Sequence, residues 1–528
     1  MKKYGKSLAL LLSVILCLSA CGGSSSSGTP AASTPAGSAP AADNSGRALN
    51  LSILAALTTL NPLNSNNLQD TMFFQQMNSG LFHVNEITKE VEPRVAEFWT
   101  ISEDGKTYTF KIRSNAKFHN GDPVKASDCV WSFNYAMGNP RINTYYTSVE
   151  SVEAADDSTF IMHLKQPNGA IFATLSNYNY ILSEREATEQ GDSFGTKLHT
   201  ASCGPYKLTR LDGLDSYWEL EAFEDYFLGA PAIKKLTYKP ISEASAGLIA
   251  FESGELDWYI APIANWDALS ANQNINSELV PANHQSYFII NYTNGELKDD
   301  NLRKAIAYAI DKDACNDVCY SGLAEIAKYM YSPAYNIAAP EHDTYYEYNP
   351  DLAKEYLAKS SMPNGGKMSG AIQCSAGGYF EKMAVVIQQN LADIGLEVEV
   401  TPMQSATNMD IMRKNEHFMG VSGGTPTGDY DGIRSWYHSE SAGTSFIKFN
   451  AGDRFDSKWI DEMLDKGAAL SDVAERQKIY AELDSYVMDG AVYLPIFYKV
   501  QPYVWNKDLV IPNNYPNFPQ VAEWSWAA

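Results

Sequence analysis

The sequence is short of basic residues, and after its first segment it has no apolar run of bilayer-spanning length. It has 528 residues, with 63 Asp or Glu against 40 Lys or Arg, for a formal net charge of −23. Such an acidic surface argues against nucleic acid as a partner and against direct adsorption to anionic lipid. A transmembrane helix needs about 20 consecutive apolar residues, which no later segment supplies.

Sequence motifs of the common catalytic and metal sites are also missing. There is no GxxxxGK[ST] phosphate loop, no HExxH zinc motif and no GxSxG nucleophile elbow. The eight histidines are scattered along the chain. The run from Asp429 to Gly432 begins like a calcium loop but lacks the later ligands and the terminal glutamate. We therefore expect no cofactor and no enzyme activity, and favour a binding function.

The N-terminal segment has the features of a bacterial lipoprotein signal peptide. Three lysines among the first six residues precede an uncharged apolar stretch, and Leu-Ser-Ala-Cys at residues 18–21 forms a lipobox. We expect residues 1–20 to be the signal peptide, Cys21 to carry lipid, and residues 21–47 to form a flexible Ser/Gly/Ala/Pro linker. The alternative is an ordinary signal peptide with a chance cysteine. Removing the signal's three lysines changes the net charge from −23 to −26.

The cysteines do not form the pattern of a disulfide scaffold. Seven are present, and five remain after Cys17 and Cys21 are set aside. An odd number leaves at least one unpaired. Cys315 and Cys319 lie four residues apart in a helical pattern. Two small residues buried on one helix face are a better interpretation of this pair than a metal or redox site.

Local patterns predict an α/β protein. The alternating run from Tyr108 to Arg113 predicts a strand, and residues 126–137 predict a helix that Ser127 or Asp128 caps. An apolar helical stripe at residues 383–394 ends at Gly395 and is followed by an alternating strand, which is the joint of an α/β layer. Residues 457–488 predict two helices. A strand interrupted by prolines is expected at residues 493–503.

A longer run of residues carries a family resemblance. The segment from Tyr108 to Met137, YTFKIRSNAKFHNGDPVKASDCVWSFNYAM, resembles the hallmark segment of the family 5 extracellular solute-binding proteins, the oligopeptide- and dipeptide-binding lipoproteins of ABC importers. Six further matches follow the order of the family. They are Leu60-Asn61-Pro62, Cys203-Gly204-Pro205-Tyr206, Glu224-Asp225-Tyr226 with Gly229-Ala230-Pro231, Gly254–Asp257, Arg303–Lys312 and Gln388–Val400.

The resemblance implies a two-lobed periplasmic-binding-protein-like fold (type II, Venus-flytrap) with an extra subdomain inserted in lobe I. It places lobe I at residues 48–84, 203–285 and 489–528, the inserted subdomain at 85–202, and lobe II at 286–488. The chain would cross between the lobes near Ser286-Tyr287 and near Asp489-Gly490. Ligand would be enclosed between the lobes by a hinge motion.

The resemblance also implies a peptide ligand and its contacts. Asp429, in a Gly-Asp-Tyr loop, would bind the peptide ammonium, the other interpretation being a solvent-exposed loop acid. The remaining predicted ligand-binding residues are Tyr430, Trp436, Trp258, Tyr259 and Asn61. Core packing is an equally good interpretation of the two tryptophans and of Tyr259.

The sequence departs from the oligopeptide binders at two points. The tryptophan expected shortly before Asp429 is absent. Nearby arginines that could hold a peptide carboxylate are missing as well, the closest being Arg413 and Arg434. An oligosaccharide or a nickel-type metal chelate therefore stays open as the cargo on the same fold. A tethered surface hydrolase is a third and weaker hypothesis. The expected partners are an ABC permease and the membrane, through the lipid on Cys21, and the protein itself is expected to be monomeric.

Overall fold

The computed structural model describes residues 46–331, 346–425, 429–439, 441, 445–470 and 472–527. The predicted signal peptide, Cys21 and nearly all of the predicted linker lie outside the described residues. Residues 426–428, directly before Asp429, lie outside them as well. No helix in the described part of the chain is long and apolar enough to cross a membrane.

Strands and helices are interspersed along the chain. The strands are β1 (Ala48–Ile53), β2 (Phe82–Val84), β3 (Val91–Pro93), β4 (Ala96–Ile101), β5 (Thr107–Ile112), β6 (Val149–Asp156), β7 (Thr159–Leu164), β8 (Tyr206–Leu211), β9 (Trp218–Ala222), β10 (Lys235–Pro240), β11 (Trp258–Ile260), β12 (Ile275–Ile290), β13 (Glu325–Ile326), β14 (Gly366–Ser375), β15 (Leu396–Met403), β16 (Met419–Gly424), β17 (Tyr493–Asn506), β18 (Leu509–Val510) and β19 (Ser525–Trp526). The helices are α1 (Leu68–Met77), α2 (Ala126–Gly138), α3 (Ile171–Leu175), α4 (Glu184–Gln190), α5 (Ala244–Glu252), α6 (Trp266–Ser270), α7 (Asp300–Ala309), α8 (Lys312–Tyr320), α9 (Pro350–Ala358), α10 (Gly378–Asp393), α11 (Ser405–Arg413), α12 (Arg434–Tyr437), α13 (Ser457–Ala469) and α14 (Val473–Asp489).

The elements with the strongest local patterns form where the sequence predicts them. The predicted strand at 108–113 is β5, and the predicted helix at 126–137 is α2. Gly395 has φ +91°, the left-handed conformation that lets the chain turn from α10 into β15. Asp128, one of the two residues predicted to cap α2, does cap its first turn. Lys125 is the residue that precedes the first turn, and the Asp128 carboxylate accepts a hydrogen bond from its backbone N–H at 3.0 Å.

The predicted interruption of the strand at 493–503 is wrong. Strand β17 runs without a break through Pro495, which pairs with Tyr287, and Pro502, which pairs with Leu279. A proline removes a single backbone donor from a strand. The pairing of the surrounding residues on both sides is sufficient to keep the strand continuous.

Apolar side chains of the first half of the chain form a first core. It contains the four-stranded sheet β1-β10-β9-β8 and the four-stranded antiparallel sheet β4-β5-β7-β6. Helices α1 and α2 bury their apolar faces in it. Part of the C-terminal segment, from Tyr503 to Trp524, also belongs to this core.

A second core forms around most of a seven-stranded sheet. That sheet has the order β11-β17-β12-β16-β14-β15, with β13 also paired to β17. Helices α7, α10, α13 and α14 pack their apolar residues here. Residues 491–494, 496 and 497 belong to this second core, although they fall in the predicted lobe I. The domain limits given above stay a prediction.

Strands β12 and β17 pass from one core to the other. In β12, Val280 packs in the first core and Tyr287 in the second; in β17, Tyr503 packs in the first and Phe497 in the second. The pairing of the two strands is irregular between Pro281 and Gln285. Two long paired strands with an irregular middle form a two-stranded connection between the cores.

All five cysteines in the described residues are free. Cys129 and Cys203 are buried in the first core, and Cys315 and Cys374 are buried in the second. Cys319 is half-buried, and its Sγ lies 3.4 Å from the Tyr379 carbonyl oxygen. Cys315 and Cys319 therefore lie on one helix as small packed residues.

Candidate functional site

Two adjoining cavities lie where the cores face each other. The larger, of about 530 Å³, is bounded by β12 and β17 at the crossing and is named here the hinge cavity. The smaller, of about 290 Å³, is bounded by Thr425 at the end of β16 and by residues of the first core, and is named the cleft cavity. Glu86 lines both. Their sizes are in the usual range for sites that bind small molecules.

Glu86 occupies the boundary between the two cavities. Its carboxylate accepts hydrogen bonds from the backbone N–H and the side-chain amide of Asn517, at 2.9 and 3.2 Å, and from the backbone N–H of Phe518 at 3.3 Å. Burial raises the pKa of Glu86 above its usual value, and these hydrogen bonds work in the opposite direction. These hydrogen bonds fix an acidic side chain at the point where the cavities meet.

Lys499 is the cation of the hinge cavity. It lies on β17 within the irregular stretch opposite Pro281–Gln285. Its Nζ lies 4.4 Å from the centre of the Tyr379 ring. Burial lowers the pKa of Lys499 to about 8. The same cavity is lined by Glu278 and Glu325, so charges of both signs surround it.

A chain of polar contacts links Lys499 to the cleft cavity. The Tyr379 hydroxyl and His284 Nε2 lie 3.3 Å apart, and His284 Nδ1 lies 3.2 Å from Thr425 Oγ1. Burial, with the nearby charge of Lys499, lowers the pKa of His284 to about 3. The imidazole is therefore neutral and acts as a hydrogen-bonding group between tyrosine and threonine.

Aromatic and amide side chains line the cleft cavity. Tyr145 and Tyr178 stack with ring centres 3.8 Å apart and ring planes at 14°. Asn66 and Asn177 lie at the same cavity. Flat rings next to amide groups supply an apolar surface and hydrogen-bonding partners to one ligand.

Asp429 is not a free loop acid. Arg476 on α14 donates to both of its carboxylate oxygens, one of these contacts measuring 2.8 Å. The Asp429 and Arg476 side chains are only 12% and 5% exposed. Asp429 Oδ1 also accepts from the Asp431 backbone N–H at 2.8 Å, which begins the short turn over Tyr430–Ile433. Burial alone lowers the pKa of Arg476, but its bonds to Asp429 more than offset this and raise it.

Two further predicted site residues lie near Asp429 in the chain and pack in the second core. The Tyr430 ring stacks with that of Tyr480 at 5.9 Å, and its hydroxyl accepts from the Gln477 amide at 2.9 Å. Trp436 is 8% exposed and packs edge-on against Tyr287 at 5.4 Å. Neither residue lines the two cavities described above.

Of the other three predicted site residues, Trp258 belongs to the first core, Asn61 is buried beside it, and Tyr259 lies in a separate, smaller apolar cluster. Trp258 packs edge-on against Tyr503 at 5.0 Å. Tyr259, on the opposite face of β11, donates its hydroxyl proton to the Ala244 carbonyl at 3.0 Å. The Asn61 side chain accepts from Leu63 N–H at 3.0 Å and caps a short turn. The fold therefore does not bring these residues together with Asp429.

Sequence patterns did not predict the residues that line the two cavities. Lys499 is a single cation inside a mostly buried strand, and that isolation is the one local signal that marks it. Glu86 and His284 have no such signal. Of the two arginines nearest to the Asp429 loop in the sequence, Arg434 is paired with Asp431 and Asp465. No group of three or more His, Cys, Asp or Glu is placed to hold a metal ion in the part that the structure describes.

The two-core fold and the cavities between the cores define a binding protein of the periplasmic class. The model of the bacterial extracellular solute-binding proteins, family 5 Middle, matches residues 90–445, and the chain belongs to this family. Its fold is the mixed α/β two-lobed fold of these proteins. Proteins of this family are extracytoplasmic solute-binding components of ABC transporters.

Individual relatives bind different solutes. The glutathione-binding protein GsiB of Escherichia coli is 25% identical over 452 residues, covering 83% of this chain and 86% of its own. DppA of Helicobacter pylori, in complex with the peptide STSA, superposes with a TM-score of 0.75 at 22% identity, covering 91% of this chain and 98% of its own. NikA of Brucella suis, in complex with Fe(III)-EDTA, gives 0.78 at 23% identity, with 90% and 99% covered.

Proposed function

We propose that the protein captures short peptides outside the cytoplasm and delivers them to the permease of an ABC importer. The observation that carries the proposal is the mixed charge of the hinge cavity, where Lys499 lies with Glu86, Glu278 and Glu325. A peptide with free ends is a zwitterion, and burying either charge without a partner is costly. A cavity with charges of both signs suits such a ligand better than it suits a neutral sugar.

The peptide backbone needs hydrogen-bonding partners as well. Amide and hydroxyl groups of Asn66, Asn177 and Thr425 line the cleft cavity. Contacts of this kind satisfy the peptide groups without selecting side chains, which gives a broad specificity. Glutathione, named for the relative GsiB, is itself a small charged peptide.

Asp429 remains a proposed partner of the ligand ammonium. A carboxylate has about four acceptor positions, and Arg476 and the Asp431 N–H occupy three of them. Because Arg476 already neutralises the charge, we expect a modest contribution to binding. The Asp429→Asn protein should lose affinity for free-amine peptides and keep its affinity for N-acetylated ones. An equal loss for both would remove the ammonium role.

A chelated metal or an oligosaccharide is the second candidate cargo. The stacked pair Tyr145–Tyr178 provides a flat surface of the kind on which sugar rings pack. The similarity to NikA with Fe(III)-EDTA supports the chelate, because a chelate brings its own metal ligands. The mixed charge of the hinge cavity favours the peptide.

Native mass spectrometry of protein purified without refolding tests the cargo. We expect a heterogeneous set of co-purified short peptides that heat or mild denaturant releases. Protein stripped of ligand should then bind a mixed pool of tri- to pentapeptides. A single sugar or metal chelate as the co-purified species, with no binding of the peptide pool, would overturn the peptide assignment.

The same proposal includes a lipid anchor at Cys21. The lipobox at residues 18–21 and the low-complexity segment up to residue 47 support it. A tether of this kind keeps the binding protein close to its permease and so raises the effective concentration. Cys21→Ser should release the protein from the membrane fraction into the soluble fraction, whereas Cys17→Ser should not. Retention of the Cys21→Ser protein in the membrane fraction would refute the anchor.

A further inference from the structure

We propose that Lys499 binds the carboxylate of the ligand and so selects solutes with a free acidic end. This assignment rests on the proposed peptide function and makes that function more specific. It gives the hinge strand β17 a direct role in recognition, in addition to joining the two cores. The ligand class that fits is a short peptide with an unmodified C-terminus.

The first support is the position of Lys499. Its side chain faces a cavity of about 530 Å³ at the crossing of β12 and β17. Both cores contribute to this cavity, with Trp505 from the side of the first core and Glu325 beside the second. A ligand held by Lys499 therefore lies between the cores, where its contacts favour their closed arrangement.

The second support is the missing counter-ion of Lys499. In the residues that the structure describes, its ammonium has no ion pair or hydrogen bond, and its one recorded contact is with the Tyr379 ring. The two arginines around Asp429 are already paired, Arg434 with Asp431 and Arg476 with Asp429. A half-buried ammonium without an anion carries part of the cost of an unpaired buried charge, and a ligand carboxylate removes that cost.

The acidic groups of the cavity do not supply that anion. Glu86 is held by the Asn517 and Phe518 backbone, and Glu278 accepts from the Asn514 amide at 2.6 Å. Glu325 forms no recorded ion pair with Lys499. These carboxylates instead give the cavity a negative side, which suits the cationic end of the same ligand. Charges of both signs in one cavity point to a zwitterion.

The low pKa of Lys499 agrees with this geometry. Burial reduces it to about 8, and the groups around it, Tyr379, Tyr498 and His284, are neutral at that pH. An anion beside the ammonium stabilises the charged form and raises its pKa. Ligand binding therefore completes an ion pair that the ligand-free cavity lacks.

The test compares two matched pools of tri- to pentapeptides, one with free C-termini and one with C-terminal amides. Binding to stripped protein is measured by calorimetry and by mass spectrometry. The parent protein should prefer the free acids by about tenfold or more, the size expected for a charged hydrogen bond. Lys499→Gln should abolish this preference, mainly by losing affinity for the acids, and Lys499→Arg should restore most of it.

Lys507→Gln is the control, because it removes the same charge from an exposed position just after the same strand. It should leave the preference unchanged. Binding of acids and amides with equal affinity by the parent, or an equal loss of both in Lys499→Gln, would overturn the Lys499 assignment while the peptide function stands. If neither pool binds the parent protein, the peptide function itself fails, and the assignment fails with it.

Discussion

Replacing Asp429 by alanine should destabilise the protein, because the change leaves the Arg476 guanidinium buried without its partner. The two side chains are 12% and 5% exposed, and the pair is bidentate. Breaking such a buried pair from one side costs about 3–5 kcal/mol. Asp429 also caps the turn over Tyr430–Ile433. Loss of a cap of this kind lowers the free energy of unfolding by about 0.5–2 kcal/mol. Arg476 keeps a bond from its Nε to the Gly467 carbonyl at 3.0 Å.

Urea unfolding followed by circular dichroism measures this loss in Asp429→Ala, in Arg476→Met and in the double variant. We expect the double variant to be less destabilised than the sum of the single variants, since it leaves no unpaired buried charge. A coupling near zero, or an Asp429→Ala protein as stable as the parent, would refute the pairing. If Asp429→Ala is destabilised as expected, its reduced ligand binding is not evidence of a ligand contact. For this reason Asp429→Asn, with stability measured in parallel, is the better binding variant.

Two further predictions concern the pH dependence of stability and the contact between the two cores. Asp484 is fully buried on α14, and burial raises its pKa from 3.8 to about 7. The folded state therefore holds a proton that the unfolded state releases, and stability falls as the pH rises from about 4 to 7. Asp484→Asn should match the parent at pH 4 and exceed its stability at pH 8 by about 4 kcal/mol, from some three pKa units at 1.36 kcal/mol each. A pH-independent difference in urea unfolding would contradict this. Gly169 N–H donates to the Ala468 carbonyl across the cores, and a Cβ on Gly169 would lie 2.0 Å from the Leu470 carbonyl oxygen. Gly169→Ala should therefore weaken ligand affinity and enlarge the radius of gyration of the liganded protein, with little change in the free energy of unfolding. Unchanged affinity and radius would show that this contact does not contribute to closure.

The family could be predicted because its signals are local, and the same kind of local signal is the basis of the proposed lipid anchor and linker. A charged start, an apolar stretch and Leu-Ser-Ala-Cys are adjacent in the chain, and so are the turns of the hallmark segment 108–137. Elements such as β5 and the α10-β15 joint follow from periodicity and from one glycine. The two prolines of β17 show the limit of this reasoning, because pairing with neighbouring strands overrode the local preference.

The ligand-binding residues could not be predicted in the same way. Asp429 has a loop position that suggests ligand binding, yet Arg476, 47 residues later, neutralises it. Trp258 and Tyr259 are aromatic residues of the kind that line binding sites, but Trp258 packs in the first core and Tyr259 in a separate apolar cluster. The partner of a charged group is set by the tertiary fold, and sequence spacing does not report it.

By itself, the sequence determined an acidic α/β protein of the family 5 solute binders, because composition and short motifs are carried by neighbouring residues. Only the tertiary structure decided which charges are satisfied and which face the space between the cores. Lys499 on β17, the ring of Tyr379 on α10 and Glu86 from the first half of the chain lie at or beside one cavity. They do so because β12 and β17 pass between both cores, and such long-range pairing is a property of the folded chain.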